Sequence, residues 1–351
     1  MTGINDVAHE VGLSTATVSR ALRNLPGVSE ETRQRVVEAA QRLGYVASPA
    51  ASVLAGGETR TIAVVAPFVT RWFFATVVEG AESVLRQHGY DVLLYSLGGD
   101  QATRSRVLHS HQLTKRVDGV LVLGIEPTDD EELWLHTHAP PVSLVGARME
   151  GCPSVSIDDE RAARIGLQHL LDLGHRRIAY VGGSATEPLD FSTPRARLRG
   201  YRSTLTTAGI PLRAEYETYG HFTIEGGFEA GGELLSLEDP PTAIFCASDE
   251  MAIGVLSAAR ERGVSVPGQL SVMGIDDHLL ARYIGLSTVR QPVVEQGQIA
   301  ARNLLEVIRQ RRLAPSDRVL FGDTVLPAEL VARTSTGPAD ADRSVPGRRS
   351  T

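Results

Sequence analysis

The chain has 351 residues, too long for one typical domain, and fits a small module joined to a larger body. Hydrophobic residues make up 42%, enough for a substantial core, and a net charge of −7 disfavours a uniformly basic nucleic-acid binder. The sequence shows neither a run of about 18 apolar residues nor a basic start followed by an apolar segment. We therefore expect a cytoplasmic protein with no membrane span and no secretory leader.

Charge and cysteine are unevenly distributed along the chain. The first 60 residues hold six arginines and six acidic residues, so the negative charge lies in the remainder. The two cysteines, Cys152 and Cys246, are far apart and neither lies in a CxxC pair, which disfavours a disulfide framework or a zinc site. Cys246 lies in the apolar run AIFCAS and is interpreted as a small buried hydrophobe.

Residues 4–45 predict three short helices. The first covers about 4–11, a turn containing Gly12 follows, and Ser14 can cap a second helix over about 15–23. Ser29, followed by two glutamates, predicts the start of a third helix that Gly44 ends, because acidic side chains favour a helix N-terminus.

Two helices joined by a glycine-containing turn form a helix-turn-helix. Ala8 allows the helices to approach each other, and Val18 fixes the second helix on the first. Thr15, Ala16 and Arg20 then project outward, where they can reach base edges in a major groove. The short polar side chains around them are predicted to donate to phosphates, among them Ser14, Thr17, Ser19 and Asn24.

From residue 61 the pattern changes to short apolar runs that alternate with amphipathic helical stretches. Runs such as TIAVVA (61–66) and AIFCAS (243–248) are apolar throughout, which is typical of parallel strands covered by helices on both faces. The predicted fold is an all-α helix-turn-helix headpiece followed by a two-lobed α/β core with parallel sheets.

The chain is predicted to divide into a headpiece, a hinge, a two-lobed core and a tail. The headpiece covers 1–47, a hinge or linker 48–59 and the core 60–336. Lobe 1 is expected at about 60–158 and 290–320, and lobe 2 at about 159–289 and 321–336. The polar tail, 337–351, is expected to be disordered.

The segments INDVAHEVGLSTATVSRALRN and VSEETRQRVVEAAQRLGY and a hinge ending in LAG resemble the headpiece of the lactose-repressor (LacI/GalR) family. The resemblance continues to about residue 336, and implies a core similar to periplasmic sugar-binding proteins. It implies that Thr15 and Ala16 read bases, that Arg20 supports them, and that Arg23 lies in the DNA-binding segment where asparagine is common. Leu54 matches a hinge leucine that wedges into the minor groove.

Ligands of open α/β sheets bind at the carboxyl ends of the strands, and aromatic, arginine and aspartate side chains follow several of the predicted strands. Such side chains suit a polyhydroxylated ring, by stacking and by paired hydrogen bonds. The resemblance implies the effector-binding residues Trp72, Phe73, Phe74, Thr193, Arg197, Phe222, Asp249 and Asp276. Two alternatives stay open: Phe74 packs in the core, or Asp249 caps the next helix.

Some positions depart from the family pattern. Arg71-Trp72 replaces the usual Asn-Pro, Gly146 replaces an acidic residue, and Ala16 cannot hydrogen-bond a base. Trp72 favours stacking on a sugar, so we expect a sugar effector. A nucleobase or nucleoside effector, or a corepressor in place of an inducer, stays open.

An enzyme is the competing class. No GxGxxG, GxxxxGK[ST] or GxSxG motif follows a predicted strand, so neither a nucleotide cradle nor a nucleophile elbow is expected. The pairs His109/His111 and His136/His138 are interpreted as surface histidines, and no metal or cofactor is expected. The expected partners are double-stranded operator DNA, a small effector and a second copy of the chain, as a homodimer or a tetramer, in a nucleoid-associated protein of the cytoplasm.

Overall fold

A computed structural model describes residues 3–22, 26–45, 58–109, 111–183, 192–311 and 322–339. The chain divides into two compact units, Met1–Thr59 and Arg60–Thr351, and each is described by itself below. The predicted DNA contacts Arg23, Asn24 and Leu54 lie outside the described residues, as does most of the hinge.

The described residues of the first unit form three helices, α1 (Ile4–Val11), α2 (Thr15–Leu22) and α3 (Glu30–Arg42). Ser29 caps α3 by accepting the Thr32 N–H, and Gly12 ends α1 in the left-handed conformation at φ 67°. Val7, Val18 and Val36 contribute one buried side chain from each helix to a shared core. The sequence prediction of three helices is confirmed, with α2 described as far as Leu22.

In the second unit, the part of the chain that the structure describes forms two six-stranded sheets. The first has the order β11-β5-β4-β3-β1-β2 and all its pairings are parallel. Its strands are β1 (Thr61–Ala66), β2 (Asp91–Ser96), β3 (Gly119–Leu123), β4 (Val142–Val145), β5 (Ser154–Ile157) and β11 (Asp323–Leu326).

The second sheet has the order β12-β10-β9-β8-β6-β7, and only its β10–β12 pairing is antiparallel. Its strands are β6 (Ile178–Gly182), β7 (Glu217–Tyr219), β8 (Ala243–Cys246), β9 (Ser271–Asp276), β10 (Ser287–Arg290) and β12 (Glu329–Val331). Strands β6, β8 and β9 are buried along their whole length, as expected for strands covered on both faces.

Helices connect the strands within each lobe. Lobe 1 contains α4 (Trp72–Gln87), α5 (Gln101–Leu108), α6 (His111–Arg116), α7 (Asp129–His138) and α13 (Val293–Gln310). Lobe 2 contains α8 (Asp159–Asp172), α9 (Ser192–Thr207), α10 (Ile224–Leu235), α11 (Asp249–Glu261) and the short α12 (Ala281–Ile284). The two-lobed α/β core predicted from the sequence is confirmed.

The structure corrects two predicted boundaries. Lobe 2 was expected to resume at 321, but β11 (Asp323–Leu326) pairs with β5 in lobe 1, so the chain crosses between Leu326 and Glu329. The disordered tail was expected from 337, but the Gly337 N–H donates to Ser271 Oγ (3.0 Å) and the Ala339 N–H to the Leu173 carbonyl (2.8 Å). Hydrogen bonds to a buried serine side chain and to a helix-end carbonyl hold these residues, and a composition-based prediction does not detect such bonds.

Helices α4 and α13 pack in close contact and form one side of lobe 1. A Cβ on Gly297 of α13 would lie 2.1 Å from the Val77 carbonyl oxygen of α4, so only glycine permits this approach. The two helices are therefore held in close contact. The first turn of each helix contributes a residue, Phe73 or Gln296, to the lining of a cavity.

Candidate functional site: a DNA-reading helix and a polar cavity

Helix α2 begins with a local cap. Ser14 Oγ accepts the Thr17 N–H at 3.2 Å, and the two hydroxyl oxygens lie 2.9 Å apart. The cap uses hydroxyls that the sequence assigned to phosphates, so in this conformation Ser14 and Thr17 first stabilise the turn. The Ser14 side chain is nevertheless exposed and retains hydrogen-bonding capacity.

The outer face of α2 presents the predicted base-reading residues together. Thr15, Ala16 and Arg20 are exposed, whereas Val18 is fully buried and Ser19 half-buried. The buried Val18 thus fixes the rotation of α2 about its own axis. In this orientation the predicted base-reading residues are exposed to solvent.

Two arginines, which sequence reasoning missed, tie the helices of the headpiece together. Arg33 of α3 donates to the Ala21 carbonyl at 3.0 Å, and Arg35 donates to the Val11 carbonyl at 3.3 Å. Both acceptors lie in the last turns of α2 and α1, where carbonyls lack an intrahelical partner. Arg33 and Arg35 therefore hold α2 in its orientation.

A cavity of about 700 Å³, including its open mouth, lies at the carboxyl ends of the strands between the two lobes. Its lining combines three phenylalanines with acidic, basic and amide side chains. The residues are Arg71, Phe73, Phe74, Gly124, Gly146, Ile157, Asp159, Thr193, Pro194, Arg197, Phe222, Ser248, Glu250, Asp276, Gln291 and Gln296. Six of the eight predicted effector residues are among them.

Arg197 is the centre of a buried polar network. Its Nε donates to Asp159 at 2.7 Å, one Nη donates to the Ala247 carbonyl, and the same nitrogen lies 3.9 Å from an Asp276 carboxylate oxygen. Burial opposes the charge of Arg197, but Asp159 and Asp276 outweigh it and raise its pKa. Since Arg197 is already paired with two carboxylates, the network favours an uncharged hydroxylated ligand over a phosphorylated one.

The network continues through two glutamines into lobe 1. Gln291 Nε2 donates to Asp276 at 2.6 Å, and Gln296 Nε2 donates to Gln291 Oε1 at 2.9 Å. Both glutamines are buried, at 4% and 1% exposure. The sequence does not predict Gln291, Gln296 or Asp159 as cavity residues. The only signal for them is that each is a polar residue near the end of a predicted element.

Phe222 covers one side of the cavity. Its backbone φ of 55° is unusual for phenylalanine, and its ring lies on Gly183 so closely that a Cβ there would be 2.0 Å from Phe222 Cε2. Phe73 and Phe74 face the cavity from α4, with ring centroids 5.3 Å apart. Phe74 is only 8% exposed, so it both packs in the lobe 1 core and lines the cavity.

Two predicted effector residues do not line the cavity. Trp72 is the first residue of α4, and its ring lies against the His278 ring, with centroids 5.0 Å apart, outside the cavity lining. Asp249 is fully buried, and its carboxylate accepts bonds from Thr288 Oγ1 (2.7 Å) and the His278 N–H (2.8 Å). Ser248, and not Asp249, caps α11.

Asp249 supports the strained turn that carries Asp276. Asp276 and Asp277 both have positive φ, 132° and 58°. Burial and the nearby Asp276 charge raise the pKa of Asp249 well above its usual range. Burial also raises the pKa of Asp276, to about 6, against the effect of Arg197.

Glu250 is a further acidic residue in the lining that the sequence did not indicate. Burial, and then the Asp276 charge, raise its pKa to about 7, while the Trp72 backbone N–H and Arg71 act in the opposite direction. A carboxyl group poised near neutral pH is common at functional sites.

Comparisons with known proteins agree with this geometry. A family model described as bacterial regulatory proteins, lacI family, matches residues 3–48, and one described as a periplasmic binding protein-like domain matches residues 167–336. The HTH-type transcriptional repressor CytR of Escherichia coli (strain K12) is 36% identical over 340 residues, which cover 95% of this chain and 96% of the relative. The chain belongs to the LacI family.

Two solved structures extend the comparison of this LacI-family chain. The Lac repressor dimer bound to operator and the anti-inducer ONPF matches with a TM-score of 0.80 at 27% identity, covering 96% of this chain and 99% of that one. A complex of the transcriptional regulator CelR with cellobiose matches with a TM-score of 0.69 at 29% identity, covering 95% and 100%. The expected family and fold are thereby confirmed.

Neither a metal-binding cluster nor a membrane-spanning helix occurs among the described residues of this LacI-family chain. No group of His, Cys, Asp and Glu side chains there could hold a metal ion. None of the described helices is long and apolar enough to cross a membrane.

Proposed function

We propose that the chain is a sequence-specific DNA-binding repressor, in which α2 reads an operator half-site and a small neutral sugar in the lobe cavity releases it. The observation that carries the DNA-binding part is the exposed row of Thr15, Ala16 and Arg20 on a helix whose opposite face is locked by Val18. A helix presented in this way fits the major groove.

A two-fold operator requires two headpieces, so we propose a homodimer. The Lac repressor relative is described as a dimer bound to operator, which supports this arrangement. Reading by two half-sites also accounts for a headpiece with equal numbers of arginines and acids, because affinity is shared between two copies.

The cavity supports a sugar through its chemistry. Phe222 and Phe73 offer apolar faces for the C–H side of a ring, and Arg197, Asp276 and Gln291 offer donors and acceptors for hydroxyls. The relative whose structure contains cellobiose supports the same class of ligand.

The DNA-binding proposal is tested by selecting an operator from random duplexes and measuring its Kd by fluorescence anisotropy. Arg20→Ala should weaken binding about ten-fold or more, since an arginine contact to a base contributes about 1–3 kcal/mol. Arg42→Ala is the matched control, because Arg42 is an exposed headpiece arginine paired with Glu10 at 3.4 Å. Equal losses in both variants, or no selected operator, would contradict the proposal.

The effector is sought by a thermal-shift screen of mono- and disaccharides, with nucleosides and nucleobases as the competing class. A compound present at 100 times its Kd adds about 2.7 kcal/mol to the free energy of unfolding. We expect a sugar to raise Tm and to lower operator affinity. A compound that instead raises operator affinity would identify a corepressor.

A further inference from the structure

Trp72 connects the two lobes through two independent contacts. It is the first residue of α4 in lobe 1, and its ring lies against His278, which follows β9 in lobe 2. Glu250, the second residue of α11 in lobe 2, lies close enough to the Trp72 backbone N–H for that N–H to lower the pKa of its carboxyl group. One lobe 1 residue thus contacts two elements of lobe 2.

Glu250 lies near the N-terminal end of α4, which has no side-chain cap of its own. The N-cap residue of α4 is Arg71, which forms no side-chain cap hydrogen bond. The first N–H groups of a helix lack intrahelical partners and favour a negative charge. The Glu250 carboxyl group approaches this end of α4 from the opposite lobe.

The His278 side of the contact is also held in place. Leu280 N–H donates to His278 Nδ1 at 3.0 Å, and the His278 N–H donates to Asp249. Burial lowers the pKa of His278, so the ring that meets Trp72 is the neutral imidazole with its proton on Nε2. The imidazole therefore presents a fixed surface to the Trp72 ring.

Other contacts between the lobes are of different kinds. The Arg195–Glu126 ion pair, at 3.3 Å, lies at the surface with side chains 42% and 38% exposed, and such pairs contribute little. The Gln296–Gln291 bond lies where the chain crosses between lobes and can persist as they rotate. Trp72 combines a ring contact with His278 and a backbone N–H that lies near the Glu250 carboxyl group.

We propose that Trp72, His278 and Glu250 form an inter-lobe latch, in which Trp72 is a positioning residue that stabilises the arrangement described above, here called closed, in which the two lobes meet beside the cavity. The latch would set the fraction of molecules that are closed before the effector binds, and hence the effector's apparent affinity. This regulatory meaning rests on the proposed function, but the latch itself does not require DNA or effector.

The two contacts can be removed separately. Trp72→Ala removes the ring and keeps the N–H. Trp72→Pro removes both, and proline is well accepted at the first position of a helix. Arg71 has φ −83° and ψ 132°, the extended conformation that a residue before proline prefers, so α4 should still form.

The experiment is amide hydrogen exchange of the full chain without ligand or DNA. In Trp72→Ala, exchange in the lobe 2 segments 249–256 and 276–283 should be at least three-fold faster than in the wild type, and in Trp72→Pro faster again. Strands β1 and β3 of lobe 1 should be unchanged. Trp134→Phe is the matched control, because Trp134 contacts His138 within lobe 1, with centroids 5.6 Å apart.

Unchanged exchange in the two lobe 2 segments of Trp72→Pro would overturn the latch. So would equal acceleration in Trp134→Phe, or acceleration that spreads to β1 and β3, since that would show a role confined to lobe 1 stability. Because these readouts involve no operator, a failure of DNA binding would leave the result for the latch intact.

Discussion

Phe222 allows the effector site to be tested without disturbing its buried charges. Replacing Arg197 would leave Asp159 and Asp276 unpaired, at a cost of about 3–5 kcal/mol in stability. Phe222→Leu changes only a half-buried ring on the cavity wall.

We expect Phe222→Leu to weaken binding of the sugar found in the thermal-shift screen about ten-fold, by calorimetry, with Tm of the free protein nearly unchanged. Phe228→Leu, a half-buried phenylalanine of α10 outside the cavity lining, should leave the affinity unchanged. Equal affinity for the Phe222 variant and the wild type would place the ligand elsewhere.

Asp249 makes stability depend on pH with a defined sign. Its pKa is raised in the folded protein, so its contribution is fully present at pH below about 4 and is lost as pH rises through the folded pKa. Asparagine can keep both partners, because its amide can donate to Thr288 Oγ1 and its oxygen can accept the His278 N–H.

Asp249→Asn should therefore be more stable than the wild type at pH 8, by several degrees in Tm, with a smaller or no advantage at pH 4. Thermal unfolding of both proteins across this range measures the difference. Asp91→Asn, at an exposed position of β2, is the control and should show no such trend. A destabilised Asp249→Asn at pH 8 would mean that the carboxylate is needed in its charged form.

At the scale of single residues, the sequence predicts most of the cavity-lining residues but not the glutamines that form hydrogen bonds with them. Arg197, Phe222 and Asp276 follow predicted strands, so the edge rule and the family resemblance brought them together. Neither the residue type nor the spacing of Gln291 and Gln296 distinguishes them from other glutamines in the sequence. Their role depends on the contact between a strand end of lobe 2 and a helix of lobe 1. Trp72 is predicted to line the cavity but does not. Its position in the sequence does not determine the direction of a side chain at the start of a helix.

Among the elements, the close contact of α4 and α13 depends on two glycines, Gly80 and Gly297, at positions where a Cβ would meet the backbone of the other helix. Gly297→Ala would place Cβ against the Val77 carbonyl and force the helices apart. Overpacking of this kind costs about 1–3 kcal/mol, so we expect Tm to fall by several degrees.

Gly322→Ala is the control, because a Cβ at Gly322 meets nothing within 4 Å. Differential scanning calorimetry of both variants measures the effect. A Gly297→Ala protein as stable as the wild type would show that α13 can shift without cost.

The predicted elements were most accurate where amphipathic periodicity was long. The amphipathic stretch 73–88 predicts one helix, which is found at Trp72–Gln87. The stretch 102–115 also predicts one helix, but the chain forms two there, Gln101–Leu108 and His111–Arg116. The short strands β11 and β12 have too few residues to show a pattern, and their pairing with different sheets follows only from the tertiary fold.

For the whole molecule, an exposed apolar cluster in lobe 2 is a candidate dimer surface. Tyr283 is 79% exposed and Leu279 59%, and both lie at or near α12 with Leu280 and Ile284. Monomers rarely expose large adjacent apolar side chains without a partner.

Tyr283→Ser combined with Leu279→Ser should shift the protein from dimer toward monomer in sedimentation velocity and weaken operator binding. Leu133→Ser, at a 68% exposed leucine of α7 in lobe 1, should do neither. A dimer of unchanged Kd in the double variant would place the interface on another face.

The last strands of the chain, β11 and β12, are shared between the two sheets, one edge each. A protein shortened at residue 321 would lack both, and would present the unpaired backbone of β5 and β10 to its neighbours. Loss of 30 C-terminal residues would thus open two aggregation-prone edges at once. Premature termination there should yield insoluble protein even though the DNA-reading headpiece is complete.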